Sequence, residues 1–203
     1  MKIICIGRNY VEHALELKNE VPAEPVFFLK PDTAILPEQR PFYIPDFSKE
    51  IHHEIELVLK ICKEGKNIAP EFASRYFDQI TVGIDFTARD IQQKQKEKGL
   101  PWEPAKAFDH SAPVGKFISF SSLANPQSIR FHLDKNGNTV QTGSSDLMIH
   151  SFEKMISYVS QFITLRKGDL IFSGTPKGVA QVNPGDVLNC YLEDQLLLTV
   201  EVK

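Results

Sequence analysis

The stretch "IHHEIELVLKI" (51–61) decides how this chain is read. Its aliphatic run through Ile51, Ile55, Leu57, Val58, Leu59 and Ile61 predicts a buried strand. Side chains alternate along a strand, so Glu54 and Glu56 share one face while Ile55, Leu57 and Leu59 take the other. Their Cα atoms then lie roughly 6.6 Å apart, two steps of strand rise. Carboxylates about 6 Å apart repel by roughly 3 kcal/mol at an effective dielectric of about 20. That is about two pKa units before any cost of burial. Water, a shared proton, a basic partner or a metal has to offset it. An exposed, water-solvated face is the plain alternative here, because Glu is mostly exposed.

Working outward, strand signals dominate. "KIICI" (2–6), "VFFLK" (26–30) and "QITVGIDF" (79–86) are apolar runs bounded by loop residues. "SIRFHLD" and "TVQTG" flank Asn136-Gly137, a hairpin signal because a type I′ turn needs positive φ. "DLIFSG" (169–174), "DVLNCYL" (186–192) and "LLLTVEV" (196–202) follow, the first two behind matching Gly-Asp turns that are too short to establish a repeat. Helices are expected over 10–17, where Tyr10, Ala14 and Leu17 fall on one face, and over 70–77 behind Pro70. Another is expected over 88–98, with Thr87 and Asp90 resembling a capping box and Gly99 as the stop. The segment 151–163 is amphipathic and suits packing on a sheet. The Pro-rich stretch 37–45 reads as a surface loop. With no βαβ rhythm and no GxGxxG, the fold class is α+β, mostly β.

Composition sets the outer bounds. The chain has 203 residues, 42% hydrophobic and 24% charged, which is ordinary for a globular domain. A chain of this length buries about 70% of its unfolded surface and needs no disulfide or structural metal to fold. The net charge of −3 gives no sign of nucleic-acid or anionic-membrane binding. Cys5, Cys62 and Cys190 form no CxxC and sit in apolar runs, so buried free thiols in a reducing compartment are expected. "MKIICIGRNY" is too short an apolar run for a signal peptide, and no segment approaches the roughly 18 apolar residues of a membrane span. These features predict a single cytoplasmic domain over 1–203.

Asp85 sits where an apolar strand runs out and a helix begins. With Glu54 and Glu56 it makes three hard carboxylate donors of the kind that suit Mg²⁺, Mn²⁺ or Ca²⁺, unless it caps the helix. His13 and Glu16, three apart on a helix, are neighbours on one face. A carboxylate beside an imidazole raises its basicity, as a general base requires, although a solvated polar face also explains the pair. Lys106, in an extended Pro-bounded stretch, either neutralises an anionic substrate or reaches into water. Asp109 and His110 read as chelators or loop polarity. "SGTPKGV" (173–179) makes backbone N–H groups available around Thr175 and is not a P-loop.

Taken jointly, "GRNYVEHALEL" (7–17), "FFLKP" (27–31), "HHEIEL" (52–57), "GIDFTARDIQ" (83–92), "GLPWEPAKAFDHSAPVG" (99–115), "ISYVSQFITLRKGDLIFSGTPKGV" (156–179) and "PGDVL" (184–188) resemble the fumarylacetoacetate hydrolase family, in its small acylpyruvase and oxaloacetate-decarboxylase-like branch. The resemblance implies a mixed β-sandwich roll, usually a homodimer, with Mg²⁺ or Mn²⁺ in each site. It places Glu54, Glu56 and Asp85 at metal-ligand positions, His13 and Glu16 at the catalytic dyad, and Arg89, Gln92, Lys106 and Thr175 around the substrate. The activity it implies is metal-dependent hydrolysis of a C–C bond in acylpyruvate-type 2-oxo acids, with the His13–Glu16 dyad activating water. Decarboxylation of oxaloacetate, or isomerisation of a hydroxy-diene-dioate, would use the same site. A non-catalytic binding protein on the same fold is a third reading.

Overall fold

The computed structural model describes residues 1–16 and 20–203. In chain order the strands are β1 (Ile3–Gly7), β2 (Val26–Lys30), β3 (Ile51–His53), β4 (Ile55–Ile61), β5 (Phe77–Ile84), β6 (Thr87–Ala88), β7 (Ile118–Ser119), β8 (Arg130–Lys135), β9 (Asn138–Ser144), β10 (Leu170–Phe172), β11 (Ala180–Gln181), β12 (Val187–Leu192) and β13 (Gln195–Glu201). The helices are α1 (Val11–Glu16), α2 (Pro70–Ala73), α3 (Arg89–Lys98), α4 (Glu103–Lys106) and α5 (Phe152–Phe162). Among the described residues the strands form three sheets, ordered β2-β1-β10-β4-β5-β7, β11-β3-β6 and β13-β12-β8-β9. The pairing β1–β10 is parallel; the other neighbours in the six-stranded sheet are antiparallel. Among the described residues no helix is long and apolar enough to cross a membrane.

The expected strand over 51–61 is divided. It breaks at Glu54, and its two halves belong to different sheets: β3 pairs with β6 and β11, β4 with β5 and β10. The solvated face also fails, because β4 is buried on both sides, as a central strand covered on both faces must be. Ile55, Leu57, Leu59 and Ile61 enter the larger core with Ile4, Ile6, Val82 and Leu188. Val58, on the Glu56 side, joins a second cluster with Ile3, Cys5, Leu170 and Phe172.

α5 starts at Ser151, whose hydroxyl accepts the Lys154 N–H at 3.3 Å. Phe152 meets Phe77 edge-on while Tyr158 and Phe162 meet Phe27, so the helix lies across the large sheet from β5 to β2. The hairpin β8–β9 turns at Asn136 and Gly137, both with positive φ.

Other expectations need correction. Residues 70–77 give one α-turn followed by a 3₁₀ turn before β5 begins at Phe77. The third apolar contact expected of the first helix, Leu17, lies outside the described residues. Thr87 does not cap α3. Ala88 is the flanking residue and makes no side-chain cap bond, although Gly99 ends the helix as expected with φ 62°. The 37–45 stretch is not merely surface: Phe42 is buried, stacks on Phe86 at 3.9 Å, and bonds through its backbone to the C-terminal strand. Cys5 and Cys190 are buried free thiols, but Cys62 is only half-buried.

Candidate metal and active site

The break at Glu54 builds the site. In the β4–β5 register Ile55 faces Ile84, so the next residues outward, Glu54 and Asp85, stand opposite each other. The Asp85 N–H donates to the Glu54 carbonyl at 2.9 Å and closes that end of the ladder. Glu56 lies two residues further in, opposite Gly83. Each of the three carboxylates is at most 4% exposed, and each offers one oxygen within 4.8 Å of the others.

Cations surround the cluster unevenly. Lys106 Nζ donates to Glu54 Oε2 at 2.8 Å, Asp85 Oδ2 at 2.7 Å and Thr87 Oγ1 at 2.6 Å. Arg89 donates Nη2 to Glu54 Oε1 and Nη1 to Gln92 Oε1, the latter at 2.5 Å. Lys30 Nζ donates to Ser111 Oγ and to the carbonyls of Lys106 and Ser111. It also lies 2.7 Å from Asp85 Oδ1, but that oxygen accepts no hydrogen bond of sound geometry. Glu56 has no cationic partner among the described residues; its Oε2 accepts only the Gly174 N–H, at 2.7 Å.

The electrostatic consequences differ between the two glutamates. Burial pushes the Glu54 carboxyl up, but Lys106 and Arg89 outweigh it and hold the group well below the usual carboxylate range. Burial, then the charges of Asp85 and Glu54, push Glu56 well above that range. Burial pulls the Lys106 ammonium down, while Asp85 and Glu54 more than offset it and leave it raised. A hard divalent cation fits these residues. Three buried carboxylates each turn an oxygen toward the others, and among the described residues Glu56 has no cationic partner.

His13, Arg89, Gln92, Lys106 and Thr175 line one pocket with the three carboxylates, about 420 Å³ including its open mouth. His13 Nδ1 engages Glu16 Oε2 at 3.1 Å, and Nε2 has no hydrogen-bond partner among the described residues. Glu16 is outside the pocket lining, and its other oxygen accepts the Gly178 N–H at 3.0 Å. In the 173–179 loop the N–H groups of Gly174 and Gly178 thus hold the carboxylates of Glu56 and Glu16 rather than lying open. Lys106 is neither extended nor hydrated: it ends α4 and is 3% exposed. Asp109 and His110 are exposed and stand apart from the cluster.

The sequence reading missed two residues that brace the carboxylate cluster and its loop. Lys30 closes β2 behind the cluster; its signal was a lysine at the end of an apolar strand just before Pro31. Gln141, on β9, accepts from the Ile55 N–H at 3.1 Å and pairs with His53 Nδ1 at 2.8 Å through Oε1. Its Nε2 donates to Thr175 Oγ1 and the Pro176 carbonyl, each at 3.0 Å. Nothing in "TVQTG" marked it.

Comparison with known proteins finds relatives along nearly the whole chain. The mitochondrial oxaloacetate tautomerase of Mus musculus is 41% identical over 201 residues, covering 99% of this chain and 91% of the relative. The oxaloacetate tautomerase of Escherichia coli strain K12 is 38% identical, covering 98% and 91%. A crystal structure of fumarylpyruvate hydrolase from Pseudomonas aeruginosa in complex with Mn²⁺ and pyruvate superposes with a TM-score of 0.93 at 37% identity, covering 100% of this chain and 89% of that one. The fumarylacetoacetate (FAA) hydrolase C-terminal family matches residues 2–203, and the chain belongs to that family.

Proposed function

We propose that the chain is a Mg²⁺- or Mn²⁺-dependent enzyme that moves a proton between the keto and enol forms of a small 2-oxo acid of the oxaloacetate type. The observation that carries this reading is the convergence of Glu54, Glu56 and Asp85 in one pocket with a buried ammonium and an imidazole. Its support from relatives is the pair of oxaloacetate tautomerases at 41% and 38% identity over nearly the whole chain. Held by the three carboxylates, the cation would supply Lewis-acid polarisation of the substrate's 2-oxo group.

The protein's own groups do the rest. Lys106, kept charged by Asp85 and Glu54, counters negative charge as it develops on the 2-oxo oxygen. Gln92, whose carbonyl oxygen is taken by Arg89, presents its amide N–H groups to the pocket and orients the substrate. His13, fixed through Nδ1 by Glu16, uses Nε2 to take the proton from the carbon next to the 2-oxo group and deliver it to the 2-oxo oxygen, and in the opposite direction to take it from the enol oxygen and place it on that carbon.

The same dyad favours a second reading, hydrolysis of acylpyruvates. There His13 Nε2 takes a proton from water as it attacks the distal carbonyl; the bond from that carbonyl carbon to the methylene then breaks, His13 gives the proton to the methylene carbon, and the products are pyruvate and a carboxylic acid. Purified protein with Mg²⁺ separates the two: loss of the ultraviolet absorbance of enol-oxaloacetate reports tautomerisation, and pyruvate release from acetylpyruvate reports hydrolysis. Faster enol loss with no pyruvate release supports the first reading. Pyruvate release supports the second, and neither signal would overturn both.

A further inference from the structure

The pocket also holds basic groups outside the carboxylate cluster. Arg8, Lys96 and Trp102 line it together with the acidic cluster. Lys106 and Arg89 are committed to Glu54 and Asp85, but among the described residues neither Arg8 nor Lys96 has a carboxylate within ion-pair distance. The three residues outside that description, Leu17, Lys18 and Asn19, carry no carboxylate.

Arg8 is held in a left-handed backbone conformation, φ 59°, between β1 and α1, and its Nε is buried without a hydrogen-bond partner. Its guanidinium carbon lies 5.9 Å from the centre of the Trp102 ring, and Lys96 Nζ lies 6.0 Å from the same centre. Burial, then the charges of Arg89 and Arg8, push the Lys96 ammonium down to about 8. Two like charges gathered beside one indole, one with an unused buried donor, are stabilised when an anion joins them.

We infer that Arg8 and Lys96 form a second anion subsite beside Trp102, which receives the distal carboxylate of a dicarboxylic 2-oxo acid. The inference rests on the function proposed above. It narrows the substrate class: a tail ending in a methyl group leaves both cations uncompensated, whereas a second carboxylate satisfies them.

Trp102 is the single tryptophan of the chain, so its fluorescence reports on this part of the pocket. The test titrates Mg²⁺-loaded protein with oxaloacetate and with 2-oxobutyrate, which has a methyl in place of the distal carboxylate. Wild type is expected to bind oxaloacetate at least about tenfold more tightly, the scale of one charge-assisted contact. In Arg8→Met, and separately in Lys96→Met, that preference falls to about threefold or less. Met is nearly as good a helix former as Lys, so the Lys96 variant keeps α3 intact. Equal affinities in wild type, or a preference untouched in both variants, would overturn the subsite and leave the proposed function standing. Binding of neither acid would overturn both.

Discussion

Gly174 donates its backbone N–H to Glu56 Oε2 at 2.7 Å, from a backbone conformation of φ +95° that side chains rarely adopt. A Cβ there would meet the Cβ of Asn9 at 2.7 Å and the Ile6 carbonyl at 3.1 Å. Asn9 cannot yield easily, since its amide donates to the Ser173 and His150 carbonyls. Gly174→Ala is therefore expected to cost about 1–3 kcal/mol of stability. Mn²⁺ affinity should fall about 10–100-fold, because Glu56 loses the group that aims it. Chemical denaturation and a Mn²⁺ titration read the two effects separately.

Gln141 ties the broken strand to the Thr175 loop. Leucine at 141 would leave the Ile55 N–H and the Thr175–Pro176 acceptors unpaired in the interior. We expect a loss of about 2–4 kcal/mol for Gln141→Leu and a larger change in kcat than in KM, because the cluster's geometry shifts rather than the pocket's charge. Urea melts and steady-state kinetics check this.

Glu56 makes cation binding pH-dependent. Burial and the neighbouring Asp85 and Glu54 raise its pKa, so without a cation it keeps its proton to a higher pH than an ordinary carboxyl does. A cation has to displace that proton. Affinity therefore rises with pH up to the group's pKa and levels off above it, and binding below that pKa releases about one proton. Calorimetry in two buffers of different ionisation enthalpy measures the release; equal heats in both would count against a protonated Glu56.

Lys106→Met removes the ammonium that Glu54 and Asp85 share. The cation-free protein should lose about 3–5 kcal/mol, because two buried carboxylates each lose a cationic partner. Turnover should fall about 10²–10³-fold. Divalent cation should stabilise this variant more than wild type, since Lys106 no longer competes for the carboxylates. Melting temperatures with and without Mn²⁺ show whether it does.

Much of the fold was legible because aliphatic runs such as "VFFLK" and "DVLNCYL" carry strand periodicity between clear turns. The division of 51–61 was not. A break stabilised by the Asp85 N–H, in the link between β5 and β6, leaves no local mark at Glu54. The capping-box reading of Thr87 failed for a similar reason: its hydroxyl donates to the Asp85 carbonyl and accepts from Lys106. Among candidate site residues the carboxylates were conspicuous, since charge in an apolar strand demands compensation. Lys30 and Gln141 were not, because a lysine ending a strand and a glutamine within one are ordinary until tertiary packing buries them.

The account depends on one divalent cation held by one oxygen from each of Glu54, Glu56 and Asp85. Crystals grown with Mn²⁺ and measured at the manganese absorption edge test this most directly. The account predicts a single anomalous peak per chain, about 2.1–2.3 Å from an oxygen of each of the three side chains. An empty cluster with Lys106 still bridging Glu54 and Asp85 at saturating Mn²⁺ would contradict it.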